Sequence, residues 1–519
     1  MRDARTSAYV VLALSGLALL RHYRNVMSRR KLCHPPSPKS YPLLGNLLSI
    51  PPGPEHLAYM KLGEQLNSDI IFLKVFGHSI IILNSAQAAS DLLDKRSARY
   101  ADRYCPPMIK EPSLVDWSTI PSLVEYGDVW RHYRRLMNNW LNSRAVGQFN
   151  KLQENQTRLL LKRLLELSSL PAPFEQVRHE FFFTMASSMF QLGYGYTLQG
   201  DQDPFFLRAQ SAIDQVTEAG MFTNFFVNIL PILNRVPDWF PGTGWKQTAR
   251  TWRANKERAV DEPYEWTKAQ VESGTASPSI LSALLQGHSL TSDLCNEEKE
   301  KRLKQLAIVM FAGGTDTTSN VLVVLAAAMV LHPLVQERAQ KEIDTILGPG
   351  VLPTMSDRQR LPYIDNVILE LLRWHPVTPT GVAHRCFEDD VYRGYNIEKG
   401  SIVIGNLWAM SRDESFYKDP NAFNPDRFLD PKVPPLPGFG WGRRCPGIYF
   451  ADASLFLGVT SLLATFSFLR KKDAQGNEII PKIEPTHNSI VMGLNPFEFE
   501  FRPRSEKHRQ LILESVQHM

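Results

Sequence analysis

Cysteine is scarce in this chain and follows no pattern. The 519 residues contain five cysteines, an odd number without any C-x-x-C pair: Cys33, Cys105, Cys295, Cys386 and Cys445. Such spacing supports neither a disulfide framework nor a paired-cysteine zinc site. It is typical of a protein that works in a reducing compartment such as the cytosol.

Charge of one sign is also lacking. Lysine and arginine number 58 against 53 acidic residues, so the formal net charge is only +5. A nucleic-acid-binding protein would need a concentrated basic patch. The charge therefore gives no case for nucleic acid as a partner.

Repeats, low-complexity tracts and breaks in composition are absent after residue 60. The length allows several small domains or one large enzyme domain. With 43% hydrophobic and 21% charged residues, a normal globular core is expected. We predict one large domain over residues 55–519.

The N-terminus carries one apolar run, Ala8–Leu20, followed by a basic cluster. Its 13 residues are short for a membrane span, which needs about 20, and would equally suit a signal peptide. Arginine and histidine, rather than a small-residue cleavage site, follow Leu20. The basic flank then predicts an uncleaved signal-anchor over residues 1–25 with the following chain in the cytosol. Residues 26–54 are basic and Pro-rich, which indicates a semi-rigid hinge or an ordinary linker.

Hydrophobic periodicity predicts a mainly helical domain with a smaller β region. A buried hairpin is expected from Ile70–Phe76 and Ile80–Leu83, and strand-like alternation from Pro379–Asn406. Helical spacing covers Ala86–Leu93, Leu152–Leu167, Phe181–Leu192, Lys301–Leu331 and Tyr363–Trp374.

The most informative stretch is Phe439–Phe450, where glycines precede a lone cysteine. Pro446-Gly447 then opens an apolar run, Ile448–Leu463, that reads as a helix. Cys445 is therefore expected on a tight loop at a helix N-terminus, where the positive dipole end favours a thiolate. Neighbouring Arg443 and Arg444 should lower the pKa of the thiol further. Such a cysteine can be a nucleophile, a redox thiol, an axial ligand of haem iron or simply a small buried hydrophobe.

Two further patterns lie on predicted helices. Trp130 and Arg134 are four residues apart and share a helix face, a suitable donor pair for a carboxylate or an ordinary surface pair. Eight small or polar residues, Gly313–Asn320, interrupt the apolar run Leu306–Leu331. Since an aspartate inside a bilayer is costly, this run is predicted to be a long helix through the protein core.

These motifs, taken in order, resemble those of the cytochrome P-450 superfamily. Cys445-Pro446-Gly447 fits the family's haem-binding loop when counted from the cysteine, and Phe439, Gly442 and Arg444 fit when counted from the phenylalanine. The chain has one residue fewer than the family between its arginine and its cysteine. Counting back from the cysteine places Arg443 at the arginine position instead. Either the loop closes differently here, or a splice junction has been misplaced in the sequence.

The resemblance implies haem b as the cofactor, with Cys445 as the axial ligand of the iron. Trp130 and Arg134 would reach one haem propionate, and His384, with Arg385 as its rival, would reach the second. The remaining residues implied in cofactor binding are Gly313, Phe439, Arg443 and Arg444. Asp316 and Thr317 would deliver protons on the opposite side of the haem.

Glu370 and Arg373 match the family's Glu-x-x-Arg element, and Arg427 its Phe-x-Pro-x-Arg-Phe element. The three would form a buried ion network with a structural role. The candidate substrate contacts are Pro376–Thr380 and part of Tyr104–Ile120. Phe222, Phe225 and Phe226 are further candidates or plain core residues.

A member of this family would be a monooxygenase of the cytochrome P-450 fold with an N-terminal membrane anchor. No flavin- or nicotinamide-binding segment is present, so a separate NADPH-cytochrome P-450 reductase, with cytochrome b5 as a second candidate donor, would supply electrons. A basic face including Arg131, Arg134, Arg135, Arg443 and Arg444 would attract it.

The expected substrate is an apolar small molecule. The residues of Asp389–Tyr395 and Asn406–Met410 resemble those of fungal members. This resemblance favours a secondary metabolite of terpenoid or polyketide class. The expected location is the endoplasmic reticulum membrane, with the catalytic domain in the cytosol. Two alternatives remain open: a haem-thiolate isomerase or dehydratase that does not use dioxygen, and a membrane-tethered relative inactivated by its shortened loop.

Overall fold

A computed structural model describes residues 33–170, 172–221, 224–486 and 489–517. The predicted signal-anchor (1–25), the first residues of the hinge and the candidate substrate contact Phe222 lie outside the described residues.

Helices make up most of the described chain, as the sequence predicts. The α-helices are α1 (Glu55–Leu66), α2 (Ala86–Ala89), α3 (Ser97–Tyr100), α4 (Pro107–Lys110), α5 (Asp128–Leu141), α6 (Asn150–Leu167), α7 (Phe174–Tyr194), α8 (Pro204–Gly220), α9 (Phe226–Ile229), α10 (Gly244–Glu272), α11 (Ile280–Leu285), α12 (Asn296–Gly314), α13 (Asp316–Leu331), α14 (Pro333–Leu347), α15 (Pro362–Trp374), α16 (Leu407–Met410), α17 (Ile448–Thr465) and α18 (Glu506–Gln517). A π-helical segment spans Ser90–Lys95, and short 3-10 turns span Leu47–Ser49, Ala145–Phe149, Pro231–Arg235, Ser289–Thr291, Met355–Arg360 and Pro425–Leu429.

The strands form one mixed sheet and two small hairpins. They are β1 (Ile70–Val75), β2 (His78–Leu83), β3 (Asp102–Arg103), β4 (His384–Arg385), β5 (Asp390–Tyr392), β6 (Tyr395–Ile397), β7 (Ile402–Gly405), β8 (Phe466–Leu469) and β9 (Glu500–Pro503). The main sheet has the order β1-β2-β7-β4-β3, and β1 and β2 form the hairpin that the sequence predicts. At the far edge, β3 pairs with β4 so that Arg103 lies opposite His384.

The predicted long apolar helix is two helices in the structure. α12 ends at Gly314 and α13 begins at Asp316, with Thr315 between them. Together with α17, these helices occupy the centre of the core. Among the described residues, the two segments apolar enough to cross a membrane are these, Asn296–Leu331 and Ile448–Thr465, and 78% of each apolar window is buried. Because they are mostly buried inside the protein, their apolar composition is that expected of core helices.

The described part of the Pro-rich hinge packs against the sheet. The carbonyl of Pro36 accepts a hydrogen bond from the Phe72 amide (3.0 Å), and the ring of His34 stacks on Phe72 at 4.2 Å. Buried Asn46 donates to Pro38 O (2.7 Å) and accepts from the Lys74 amide (2.7 Å). These contacts fix where the chain leaves the domain, which a free linker would not do.

Two buried histidines join α1 to the end of α15. His56 and His375 both contact Trp408, with ring centroids 4.9 and 5.9 Å from the indole. Both nitrogens of His375 and Nε2 of His56 lack hydrogen-bond partners among the described residues. Burial, reinforced by the Arg412 cation, lowers the pKa of His56 to about 4 and of His375 to about 3.

Stability should therefore fall in mild acid. In the unfolded chain each histidine takes up a proton below about pH 6.5, whereas the folded state keeps both neutral, which costs about 2 kcal/mol per histidine at pH 5. We expect the free energy of unfolding to be highest above pH 6.5 and to drop as the pH falls. In denaturant titrations, His375→Gln should show a smaller loss between pH 7 and pH 5 than the wild type; equal losses would contradict this explanation.

Candidate active site

The loop that precedes α17, which we call the cysteine loop (Phe439–Cys445), closes on itself. The Cys445 amide donates to the Phe439 carbonyl over 3.0 Å. Gly442 has a φ of +53°, and a Cβ there would lie 2.5 Å from the carbonyl oxygen of Leu93, so no other residue fits without rearrangement. Its amide also donates to Asp94 Oδ1 (3.1 Å). The loop is thus seated against the segment before α3.

The structure settles which arginine points inward. The Arg443 side chain is buried and donates to the carbonyls of Ala101 (3.2 Å), Pro121 (3.1 Å) and Val124 (3.0 Å). Arg444 is 65% exposed and lies 3.9 Å from Asp94 Oδ2. Arg443, the residue that matches the motif arginine when the motif is counted back from the cysteine, is therefore the one that points inward. The structure does not bring the predicted cofactor-binding residue Arg444 to the interior. The reason is that adjacent loop residues point in opposite directions, and only one direction leads into the core.

Helix α5 carries the predicted tryptophan and arginine to this loop. Trp130 and Arg134 lie one turn apart, with the Arg134 guanidinium 5.8 Å from the indole centroid. The Arg443 guanidinium lies over the same indole at 4.9 Å. Arg134 also donates to the Arg444 carbonyl over 2.7 Å. Trp130, Arg134 and Arg443 thus form one cluster.

The β3–β4 pair adds His384 and a residue that the sequence motifs miss, Arg103. His384 is buried, and its Nδ1 lies 2.7 Å from the Tyr100 carbonyl. Arg103, opposite it in the ladder, hydrogen-bonds the Val382 carbonyl. Directly opposed residues share a sheet face, which brings the two side chains together. No local pattern identifies Arg103, because a two-residue strand has no periodicity to read.

The cluster holds positive charge on the buried Arg443 and the partly buried Arg103, and the Asp102 carboxylate favours the charge of both. Burial, with the Arg443 cation next in effect, lowers the pKa of Arg103 to about 9. Burial also lowers the pKa of Arg443 to about 10, with Asp102 opposing and Arg134 adding to the shift. Among the described residues neither arginine forms an ion pair, and Nε of Arg103 has no hydrogen-bond partner. Buried cations of this kind call for an anionic ligand.

Cys445 adjoins this cluster and keeps accessible surface. Burial nevertheless raises the pKa of its thiol, while the Gly447 amide and the Arg134 cation lower it. A side chain that is accessible yet surrounded by protein faces open space within the fold. The prediction that Arg443 and Arg444 lower the pKa of this thiol is wrong: desolvation dominates, and Arg134 supplies the favourable charge.

The junction of α12 and α13 also faces open space. Gly313 is exposed, and nothing lies within 4 Å of where its Cβ would be. Gly314 differs, since a Cβ there would meet Met189 Sδ at 2.3 Å. Thr317 Oγ1 donates to the Gly313 carbonyl over 2.7 Å, as a hydroxyl one turn further along can. Only the first glycine of the predicted pair therefore leaves room for a ligand; the second lets α7 pack closely.

Asp316 lies beside this junction, in surroundings that disfavour its ionised form. Its Oδ1 accepts from Asn320 Nδ2 (2.7 Å). Burial, reinforced by the negative charge of Asp214, raises the pKa of Asp316 to about 6, against smaller opposing effects of Asn320 and Arg178. The carboxyl group can therefore exchange a proton near neutral pH.

Comparison with known proteins agrees with these features. The sequence model of the family described as Cytochrome P450 matches residues 35–501. The chain belongs to the cytochrome P450 family. It is 36% identical to cytochrome P450 monooxygenase 98 of Postia placenta, over 94% of this chain and 93% of that protein. It is also 35% identical to cytochrome P450 monooxygenase claR of Ampulloclitocybe clavipes, over 98% and 92% of the two chains. Cytochrome P450 monooxygenase ple1 of Rhodocybe pseudopiperita is 34% identical, over 97% and 96%.

As a cytochrome P450, the chain is a haem-thiolate monooxygenase, an oxidoreductase that incorporates oxygen into a small molecule and depends on a redox partner. The residues present fit a haem. A thiol is a suitable donor for the iron. The buried cation Arg443 and the partly buried cation Arg103, whose buried Nε is unsatisfied, suit an anionic group such as the haem carboxylates.

A buried ion network braces the P450 core beside this site. Glu370 and Arg373 are fully buried and form a bidentate pair, with N–O distances of 2.7 and 2.8 Å. Arg427 Nε reaches Glu370 at 3.1 Å, and the Asn424 amide donates to it at 2.7 Å. The remaining guanidinium hydrogens bond carbonyls of the 411–422 segment. The structure thus brings together all three residues predicted for the network.

Removing the carboxylate of Glu370 should strongly destabilise the fold. Glu370→Gln leaves two buried guanidiniums without a counter-charge and is expected to lower the free energy of unfolding by about 3–5 kcal/mol. Asp426→Asn is a matched control, because it breaks a half-exposed ion pair with Arg338 (2.6 Å). The control should cost at most about 1 kcal/mol. Thermal or denaturant unfolding of both variants measures the difference, and equal losses would contradict a bracing role.

Proposed function

We propose that this P450 takes electrons from a separate NADPH-dependent reductase and hydroxylates or otherwise oxidises an apolar small molecule, a fungal secondary metabolite of terpenoid or polyketide class. The observation that carries the proposal is the pairing of an accessible thiol, Cys445, with a cationic cluster in which Arg103 and Arg443 form no ion pair among the described residues. The fungal relatives support the organism class, and the apolar texture of the candidate substrate segments supports the substrate class.

In this proposal Cys445 Sγ would bind the iron of haem b, and Phe439 would close the loop that presents it. Trp130, Arg134, Arg443 and His384 hold the haem carboxylates, and Arg103 joins them. When bound, the haem supplies the redox chemistry with dioxygen, and the protein holds and orients it. Gly313 keeps the opposite side open.

Protons would reach the site through Asp316 and Thr317. The raised pKa of Asp316 lets its carboxyl group donate a proton and regain one from solvent near neutral pH. Thr317 Oγ1, anchored on the Gly313 carbonyl, can accept a proton from one side while remaining beside the open space. An isomerase or dehydratase that does not use dioxygen would not need this pair.

The exposure and ion pairs of the candidate arginines reduce the set proposed to contact the reductase. Arg443 is buried, Arg131 pairs with Asp128 at 2.8 Å, and the exposed Arg444 lies 3.9 Å from Asp94 Oδ2. The exposed Arg135 forms no ion pair among the described residues. Arg134 and Arg444 are joined by a hydrogen bond, so the exposed arginines lie on the cysteine-loop side. We propose this side for an acidic flavoprotein, with cytochrome b5 as a second candidate.

The proposed location is the endoplasmic reticulum membrane, with a single N-terminal anchor and the domain of residues 55–519 in the cytosol. Asn155-Gln156-Thr157 forms a glycosylation sequon, which would carry sugar only on a domain in the lumen. In the folded chain this sequon is not an accessible loop. It lies inside α6, and the Thr157 hydroxyl is buried and donates to the Gln153 carbonyl over 2.8 Å.

Cys445→Ser tests the proposed ligand. Because serine offers no thiolate, the carbon monoxide complex of the reduced protein should lose the red-shifted absorbance band of haem-thiolate proteins, and substrate-dependent NADPH oxidation should stop. Cys386→Ser is the control, since this buried thiol donates only to the Glu388 carbonyl (2.9 Å), which a hydroxyl can also do. An unaltered spectrum with turnover retained in Cys445→Ser would overturn the proposal.

The pH dependence of turnover tests the proton pathway. Turnover should decline as the pH rises through about 6 and Asp316 loses its proton, and Asp316→Asn should abolish that inflection. Asn320→Leu removes a hydrogen bond to the charged carboxylate and should move the inflection to higher pH. Asp214→Asn removes a repelling charge and should move it to lower pH. Rates are measured with purified reductase between about pH 5 and 8; shifts of the same sign in both variants would refute the assignment.

A further inference from the structure

Asn228 uses a fully buried side chain to join separate backbone segments. It lies in α9 and is 0% exposed. Its Nδ2 donates to the carbonyls of Ala219 and Met221, each over 3.0 Å. Its Oδ1 accepts from the Met108 amide over 2.9 Å. An asparagine amide has two donors and two acceptor positions, so three of four are used, all on backbone of other segments.

Asn228 joins three short segments, which we call the roof. They are Pro107–Lys110 (α4), Ala219–Met221 at the end of α8, and Phe226–Ile229 (α9). A Cβ on Gly220 would lie 3.7 Å from Cδ1 of Ile109 and 2.7 Å from Cδ1 of Ile490. The roof therefore packs against the chain near Ile490, and the buried Met108, Ala219 and Val227 belong to one hydrophobic cluster, in which Asn228 supplies the polar links between the three segments.

The Ile490 segment connects the roof to the candidate active site. The Met492 amide donates to the Val377 carbonyl over 2.7 Å. A Cβ on Gly493 would lie 2.8 Å from Asn320 Oδ1, and Asn320 in turn holds Asp316. Trp117, in the loop after α4, donates to Gln305 on α12 over 2.8 Å. The roof is thus placed over the side of the core that carries Gly313 and Asp316.

We propose that Asn228 is a positioning residue that holds the roof closed, and so determines how readily a bulky apolar ligand reaches the distal side of the haem. The inference rests on the proposed function, since it assigns a way in for the substrate of that site. It does not depend on oxygen chemistry or on the reductase.

The hydrogen bonds suggest a specific substitution. Asn228→Asp keeps the acceptor for the Met108 amide but loses both donations and faces two carbonyl oxygens with a carboxylate. Leaving buried carbonyls unsatisfied favours an open roof. The open population should rise about tenfold, the factor that about 1.4 kcal/mol produces.

The chain offers a matched control in Asn406. This residue is also 0% exposed, donates to the His56 carbonyl (3.0 Å) and Asn84 Oδ1 (2.9 Å), and accepts from the Ala409 amide (3.4 Å). It lies beside the main sheet rather than in the roof. Asn406→Asp should therefore destabilise the protein to a similar extent without opening the roof.

The experiment measures ligand entry in the haem-loaded, full-length protein. Stopped-flow absorbance follows the binding of imidazole and of a bulky apolar azole to the ferric haem. In Asn228→Asp the association rate of the bulky azole should rise about tenfold, by the same conversion, while that of imidazole changes less than about twofold. Asn406→Asp should leave the ratio of the two rates at its wild-type value, and Asn228→Ala serves if the aspartate variant does not fold.

Hydrogen exchange separates the roof from the proposed activity. Amides of Met108–Lys110 and of the end of α8 should lose protection in Asn228→Asp but not in Asn406→Asp. Unchanged roof exchange, or the same change in the azole rate ratio in both variants, would overturn the inference. Failure of the proposed function would show instead as absent haem-thiolate absorbance in the wild type, which leaves the exchange result intact.

Discussion

Positive charge that is withdrawn from solvent and forms no ion pair among the described residues is the constraint on which the candidate site depends. Arg443 is buried and Arg103 is partly buried, the Arg443 cation disfavours the charge of Arg103, and the hydrogen bonds of both go to carbonyls rather than carboxylates. Such an arrangement is unfavourable in isolation and becomes favourable once an anion binds between the cations. The same cluster sets the electrostatics of Cys445, since the Arg134 cation opposes the effect of burial on its thiol.

The rest of the structure can be understood as support for this arrangement. In the Glu370 network two guanidiniums share one carboxylate, and their other hydrogens bond backbone carbonyls, so the charged groups of the network have hydrogen-bond partners within the core. The break at Thr315 divides the central helix where the exposed Gly313 leaves open space, and Gly314 lets α7 close over the neighbouring turn. Asn228 then ties together backbone segments on the same side.

Elements with strong periodicity were predictable, and those stabilised by tertiary contacts were not. The β1–β2 hairpin, α15 and α17 follow from alternation or from apolar spacing near the observed ends. Helices α8, α10 and α14 were not predicted. α10 is largely polar and contains Pro263, so its 29 residues depend on packing against α8 and α12 rather than on local preference.

The sequence by itself determined the family, the cysteine, and the residue types around it, because spacing along one helix or within one loop decides which side chains can act together. It could not decide between Arg443 and Arg444, since a loop one residue short fits two registers equally well on paper. Only the tertiary structure decided that question, by turning Arg443 toward the carbonyls of Ala101, Pro121 and Val124. It also added Arg103, because the pairing of β3 with β4 joins residues about 280 positions apart, and no local pattern records such a contact.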